Sequence, residues 1–125
     1  MNLNQITIPV LNVEKAIEFY QKLGLNLIVK SLPNYARFLS SGGNTTFSVH
    51  RVDALPVGNG VWIYFETADV EQKVKELQLE GIIFDELPTD KPWLWKEARL
   101  KDPDNNQVII YHAGENRINP PWKIK

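Results

Sequence analysis

Apolar and polar positions predict one arrangement of elements, and then predict it again. Residues 3–10 alternate in part, are rich in Ile, Val and Thr, and read as a strand. Pro9 marks an edge position or the strand's end. Asn12 is an N-cap, and Val13, Ala16, Ile17, Tyr20 and Leu23 recur on one helical face until Gly24 stops the helix. Strands over 25–31 and 35–40 follow, separated by a Pro33-Asn34 turn. Ser41-Gly42-Gly43-Asn44 is a hairpin signal leading to a strand over 45–51. After a connector at 53–60, the pattern restarts with a strand at 61–66. Asp69 then caps a helix whose face is Val70, Val74 and Leu77, ending at Gly81. Residues 82–84 read as strand-like and 85–96 as less regular. Residues 97–101 and 106–111 form a hairpin across Asp102-Pro103-Asp104-Asn105-Asn106, and the tail 113–125 reads as irregular.

The repetition has a fixed offset of 57 residues. Asn12-Val13-Glu14, Ile17 and Gly24 answer to Asp69-Val70-Glu71, Val74 and Gly81. Two similar β-α-β units of about 3–51 and 61–112 are implied, within one domain spanning 1–125. Each half is too small to hide a full core alone, so the halves should pack together or exchange with a partner chain.

Composition narrows the function classes. The chain has 125 residues, 43% hydrophobic and 23% charged, with a formal net charge of -1. That balance does not suggest nucleic acid or a polyanionic substrate. No cysteine is present, which excludes disulfides, thiolate catalysis and cysteine metal sites. No apolar run approaches membrane-spanning length, and the start lacks signal-peptide features, so a cytoplasmic location with no membrane partner is the expectation. No phosphate-binding glycine loop, nucleophile elbow or zinc-protease motif occurs.

Ile8-Pro9-Val10-Leu11-Asn12-Val13-Glu14-Lys15-Ala16-Ile17-Glu18-Phe19-Tyr20, followed by Leu23-Gly24, resembles the opening helix of the vicinal oxygen chelate superfamily. This is the family of glyoxalase I, bleomycin-resistance proteins, fosfomycin-resistance enzymes and extradiol dioxygenases. Asp102-Pro103-Asp104-Asn105-Asn106 is similar to its "D-P-D-G-N" hairpin, with Asn105 for glycine. Asparagine tolerates the left-handed backbone needed there. The resemblance implies an α+β fold of tandem βαβββ units forming a cupped mixed β-sheet, and commonly a homodimer. In metal-using relatives, ligands fall where this chain has Gln5, Ser48 or His50, Trp62, and Ile109. Trp62 and Ile109 carry no metal donor, so the resemblance implies a member with neither the standard metal site nor a cofactor.

Family register and two-residue alternation place Gln5, Ser48, His50, Trp62, Tyr64, Ile109 and Tyr111 on the cup. Trp62 with Tyr64 and Tyr111 would give a flat apolar wall with polar handles, suited to a planar ligand. Filling of the cup by Trp62 and Ile109 is the alternative. His50 is the candidate acid–base residue, because imidazole ordinarily titrates near neutrality; His112 is a weaker one. Glu66 and Glu97 are either a carboxylate pair serving chemistry or two solvated carboxylates. Arg37 would either meet an anion or sit on the surface. Trp93 and Trp95, between prolines, would form a lid or a dimer anchor, and Trp122 with Ile124 suggests an ordered tail.

Three functions follow. The first is a glyoxalase/bleomycin-resistance-like protein that binds a small, partly aromatic molecule without the standard metal. The second is a lyase, isomerase or dioxygenase-like enzyme using His50 or an altered metal site. The third is a structural or partner-binding dimer.

Overall fold

A computed structural model describes residues 1–125. Strands β1 (Gln5–Val10), β2 (Asn26–Ser31), β3 (Tyr35–Leu39) and β4 (Thr46–Arg51) surround helix α1 (Val13–Lys22) in sequence. Strands β5 (Trp62–Glu66), β6 (Glu86–Asp90), β7 (Lys96–Lys101) and β8 (Gln107–His112) accompany helix α2 (Val70–Leu79), and a single 3-10 turn spans Gly114–Arg117. The strands form two four-stranded sheets, in the orders β1-β4-β3-β2 and β5-β8-β7-β6. In each sheet the outer first strand runs parallel to its neighbour and the remaining pairs are antiparallel. This is the α+β, tandem βαβββ arrangement that the family resemblance implies, built on the two β-α-β units of the repeat.

The chain divides into two compact units. Unit 1 is Met1–Val61 with Asp102–Asn106, and unit 2 is Trp62–Lys101 with Gln107–Lys125.

The helices begin where the sequence caps them. The Asn12 side chain accepts a hydrogen bond from the Lys15 amide, and Asp69 accepts one from the Gln72 amide, each at 3.0 Å. Glu14 and Glu71 in the first turns complement the helix dipole. Gly24 (φ 102°) and Gly81 (φ 88°) leave the helices through backbone conformations that side chains disfavour.

In unit 1, α1 packs on β2, β3 and β4. Its Tyr20 lies fully buried against Phe38 and Phe47, with ring centroids 5.9 and 4.7 Å away. Ile8, Val10, Ala36 and Val49 complete this layer. The Tyr20 hydroxyl donates to Asp102 at 2.7 Å. Asp102 also accepts from the Asp104 and Asn106 amides, while Asp104 accepts from the Leu11 amide at 2.9 Å and Asn106 donates to the Pro9 carbonyl. Asn105 takes φ 67°, the left-handed conformation anticipated for it. The Asp-Pro-Asp-Asn-Asn turn is therefore a buried polar clasp around the end of β1.

In unit 2, Val70, Val74 and Leu77 of α2 are buried in a layer with Ile63, Ala98, Leu100, Val108 and Ile110. One element differs from expectation. Residues 82–84 are not a strand, and Ile83 is 85% exposed. The strand is Glu86–Asp90, inside the stretch read as irregular. It carries Pro88 and a register shift between Glu86 and Thr89, both tolerated because β6 is the sheet's last strand. Pairing with β7 overrides the weak strand propensity of Glu-Leu-Pro-Thr-Asp. The tail also differs, since Trp122 is 58% and Ile124 93% exposed. No helix is long and apolar enough to cross a membrane.

Candidate functional site

Each sheet has one face covered by its helix and one opposite face, and the sequence-predicted site residues belong to the opposite faces. In unit 1, register aligns three rows across β3, β4 and β1: Leu39–Thr46–Gln5, Arg37–Ser48–Thr7 and Tyr35–His50–Pro9. Gln5 and Ser48 come together, with the Gln5 amide donating to the Ser48 hydroxyl at 2.9 Å and to Thr7 at 3.1 Å. Thr46 donates to the Gln5 carbonyl oxygen. Ser48 is fully buried and shares a 2.7 Å contact with the Tyr35 hydroxyl. Arg37 donates from Nε to Tyr35 at 2.8 Å. Desolvation would raise the Tyr35 phenol. The hydrogen bonds from Ser48 and Arg37, with the guanidinium charge, outweigh it and hold the phenol below its ordinary value.

His50 lies beside Tyr35 in register, exposed, and its side chain makes no hydrogen bond or ion pair. An imidazole without an orienting partner lacks what general bases usually have. Tyr35 was not singled out from sequence. Its alternation with Arg37 and its position across from His50 were the available signals, but register between strands is not written in one sequence.

In unit 2, Trp62 and Tyr64 are 46% and 39% exposed, respectively. The Arg99 guanidinium lies 5.3 Å over the Trp62 ring. Tyr64 meets Trp95 and Tyr111 edge to face at 5.8 and 5.4 Å, and Trp95 stacks on Tyr111 at 4.8 Å. Ile109 and Tyr111 are buried in a cluster with Ala113, against which Trp95 packs. They back this face rather than present themselves to solvent. Desolvation, then nearby Glu97, raises the Tyr64 phenol; desolvation, then Glu66, raises Tyr111.

Glu97 departs from the solvated alternative. It is fully buried, accepting from Arg99 at 3.1 Å and from the Trp93 indole at 2.6 Å. Trp93 is thus tied to the sheet through Glu97. Glu66 is spent on the Ala113 amide at 3.0 Å, with Arg117 at 4.0 Å. His112 contacts the Thr67 carbonyl through Nδ1 at 3.1 Å. It borders a cavity of about 440 Å³ with Asp69, Glu71, Asp90, Lys96 and Asn116. Lys96 there is paired with Glu71 at 2.8 Å and Asp90 at 4.0 Å.

The positions that hold a divalent metal in metal-using relatives carry Gln5, Ser48 or His50, Trp62 and Ile109 in this chain. No three His, Asp or Glu side chains converge as metal ligands do. Both ends of the Gln5 amide are engaged by Ser48, Thr7 and Thr46, and Trp62 and Ile109 offer no donor. These residues do not fit the group.

Paired βαβββ units, each with a helix on one sheet face and functional candidates on the other, define a glyoxalase-like class of protein. The chain belongs to the Glyoxalase/Bleomycin resistance protein/Dioxygenase superfamily, whose family model matches residues 2–110. It is 33% identical over 138 residues to the trivalent organoarsenical cleaving enzyme of Bacillus sp. (strain MD1), covering 97% of this chain and 81% of that protein. Among solved structures, it resembles a glyoxalase/bleomycin resistance protein/dioxygenase from Nocardioides, with a TM-score of 0.79 at 18% identity, covering 100% of this chain and 90% of that one. It also resembles lactoylglutathione lyase from Agrobacterium tumefaciens, with a TM-score of 0.75 at 17% identity, covering 94% and 96% of the two chains.

Proposed function

We propose that this protein binds a small, partly aromatic molecule through Trp62 and Tyr64, without the superfamily's standard metal. The exposed Trp62 ring, held under Arg99, is the observation that carries this reading. An aromatic ring so placed offers stacking worth about 0.5–1.5 kcal/mol beyond the area it buries. The Arg99 charge is already neutralised by Glu97, so the ligand need not be anionic at this face. The enzyme reading centred on His50 has less support, because nothing orients its imidazole. The Bacillus relative is named for trivalent organoarsenicals. Trivalent arsenic is a soft centre that favours thiolates, and this chain has no cysteine, so the reading does not extend to that substrate.

The test is native mass spectrometry of the purified protein with elemental analysis, which also reads the expected homodimer. A retained aromatic molecule, released on replacing Trp62 by alanine, supports the proposal; affinity should fall about tenfold or more. A stoichiometric divalent metal per subunit would overturn the metal-free reading and direct attention to lyase and dioxygenase chemistry.

A further inference from the structure

Unit 1 holds a hydroxyl–amide–guanidinium network with no anionic acceptor. The Gln5 amide hydrogens go to Ser48, Thr7 and the Ile6 carbonyl, and the Thr46 hydroxyl hydrogen goes to Gln5. Tyr35 and Ser48 bring two hydroxyl hydrogens to a single oxygen–oxygen contact of 2.7 Å, which uses only one. Arg37 spends its Nε hydrogen on Tyr35 and makes no ion pair. Its terminal N–H groups remain, as does the second hydroxyl hydrogen. The sheet face around them carries Gln5, Thr7, Thr46, Ser48, Tyr35 and His50, and no aspartate or glutamate. Arg37 is thus a positioned cation, fixed by the phenol oxygen and by the Tyr35 ring 5.5 Å from its central carbon. A planar guanidinium fixed in this way suits the oxygens of an oxyanion.

We propose that Arg37, Tyr35 and Ser48 form a binding site for the oxyanion group of a small molecule. Arg37 supplies the charge. Tyr35 holds the guanidinium at Nε and leaves its terminal edge for the ligand, and buried Ser48 fixes the Tyr35 hydroxyl from the other side. The site stands on unit 1 alone and does not depend on the aromatic reading of unit 2. If Trp62 proves irrelevant, this site is untouched, and the converse holds.

The experiment is a two-dimensional ¹H–¹⁵N titration following the Arg37 Nε–Hε signal, with acetate and inorganic phosphate as probes and sodium chloride as the ionic-strength control. Saturable shifts at Arg37, Tyr35 and Ser48 with either oxyanion are expected. Acetate saturation points to a carboxylate ligand, and saturation by phosphate alone points to a phosphate. Arg37→Gln should weaken binding at least tenfold and Tyr35→Phe several-fold. Lys30→Gln should leave it unchanged, since Lys30 pairs with Ala36 on the helix face. Bound oxyanion should also move the Tyr35 phenol's titration, followed by ultraviolet absorbance, back upward, because it offsets the guanidinium charge. Shifts that grow linearly and match those of chloride would overturn the site, as would oxyanion binding unaffected by Arg37→Gln in a folded variant.

Discussion

Replacing Tyr20 with phenylalanine tests whether the turn after β7 is clasped chemically or merely packed. The substitution keeps the ring among Phe38 and Phe47 and removes one hydroxyl, which donates to Asp102 at 2.7 Å. Desolvation, reinforced by the Asp102 carboxylate, pushes the Tyr20 phenol far above its ordinary value, so it stays a donor at any pH the fold survives. A hydrogen bond to a charged partner contributes about 1.5–3 kcal/mol. Asp102 Oδ2 keeps one other donor, the Asn106 side-chain amide at 2.9 Å, which places the loss near the lower part of that range, about 2 kcal/mol. With a urea m-value of about 1.5 kcal/mol/M, the midpoint should fall by about 1.3 M with m unchanged. Pairing the variant with Asp102→Asn in a double-mutant cycle isolates the bond. A loss below about 0.5 kcal/mol, or an equal loss in the Asp102→Asn background, would refute the clasp.

Two further outcomes follow from buried charge. Glu97→Gln strips the carboxylate from Arg99 and weakens the acceptor of Trp93. Losing one partner of a buried pair costs about 3–5 kcal/mol, and the partial exposure of Arg99 reduces this to about 2 kcal/mol. Adding Arg99→Gln should recover part of the loss in urea unfolding, and Trp93 fluorescence should change with Glu97→Gln. Asp104 Oδ2 is buried without a hydrogen bond, and desolvation raises the carboxyl above its ordinary 3.8. A carboxyl raised by folding binds its proton more readily in the native state. Its contribution is fully present below 3.8 and is lost as pH rises through the raised value. Asp104→Asn should therefore gain stability relative to the native sequence as pH climbs above 3.8, levelling off toward neutrality. A difference that is flat or reversed across unfolding curves at several pH values would contradict this.

The elements legible in the sequence were those whose cause is local. Asn12 and Asp69 cap their helices with their own side chains, and Gly24 and Gly81 end them by backbone conformation alone. Asn105 adopts the left-handed turn from its own chemistry. The missed element, β6, has no local cause. Ile82-Ile83-Phe84 looks more strand-like than Glu86–Asp90, yet the latter pairs because β7 offers an edge. Burial of Glu97 was illegible for a similar reason. Its two partners lie two residues ahead and four behind, but their hydrogen bonds depend on a turn at Lys91–Leu94 that brings Trp93 back over the strand.

The 57-residue repeat explains why the fold was easier to read than the chemistry. Positions of β1 and β5 on the helix side of each sheet stay apolar: Ile6, still 39% exposed near the start of β1, answers to buried Ile63, and buried Ile8 to Phe65. Positions that face away diverge completely: Gln5 answers to Trp62, Thr7 to Tyr64 and Pro9 to Glu66. Alternation in a strand separates the two demands, since successive side chains point to opposite faces. The helix-covered face must exclude water and tolerates only apolar exchange. The opposite face carries no such requirement, so the same backbone holds a hydroxyl–amide–guanidinium network in unit 1 and an aromatic wall over a buried ion pair in unit 2. The chemistry of one unit therefore predicts nothing about the other, and each face has to be tested with its own substitution, Arg37→Gln in the first and Trp62→Ala in the second.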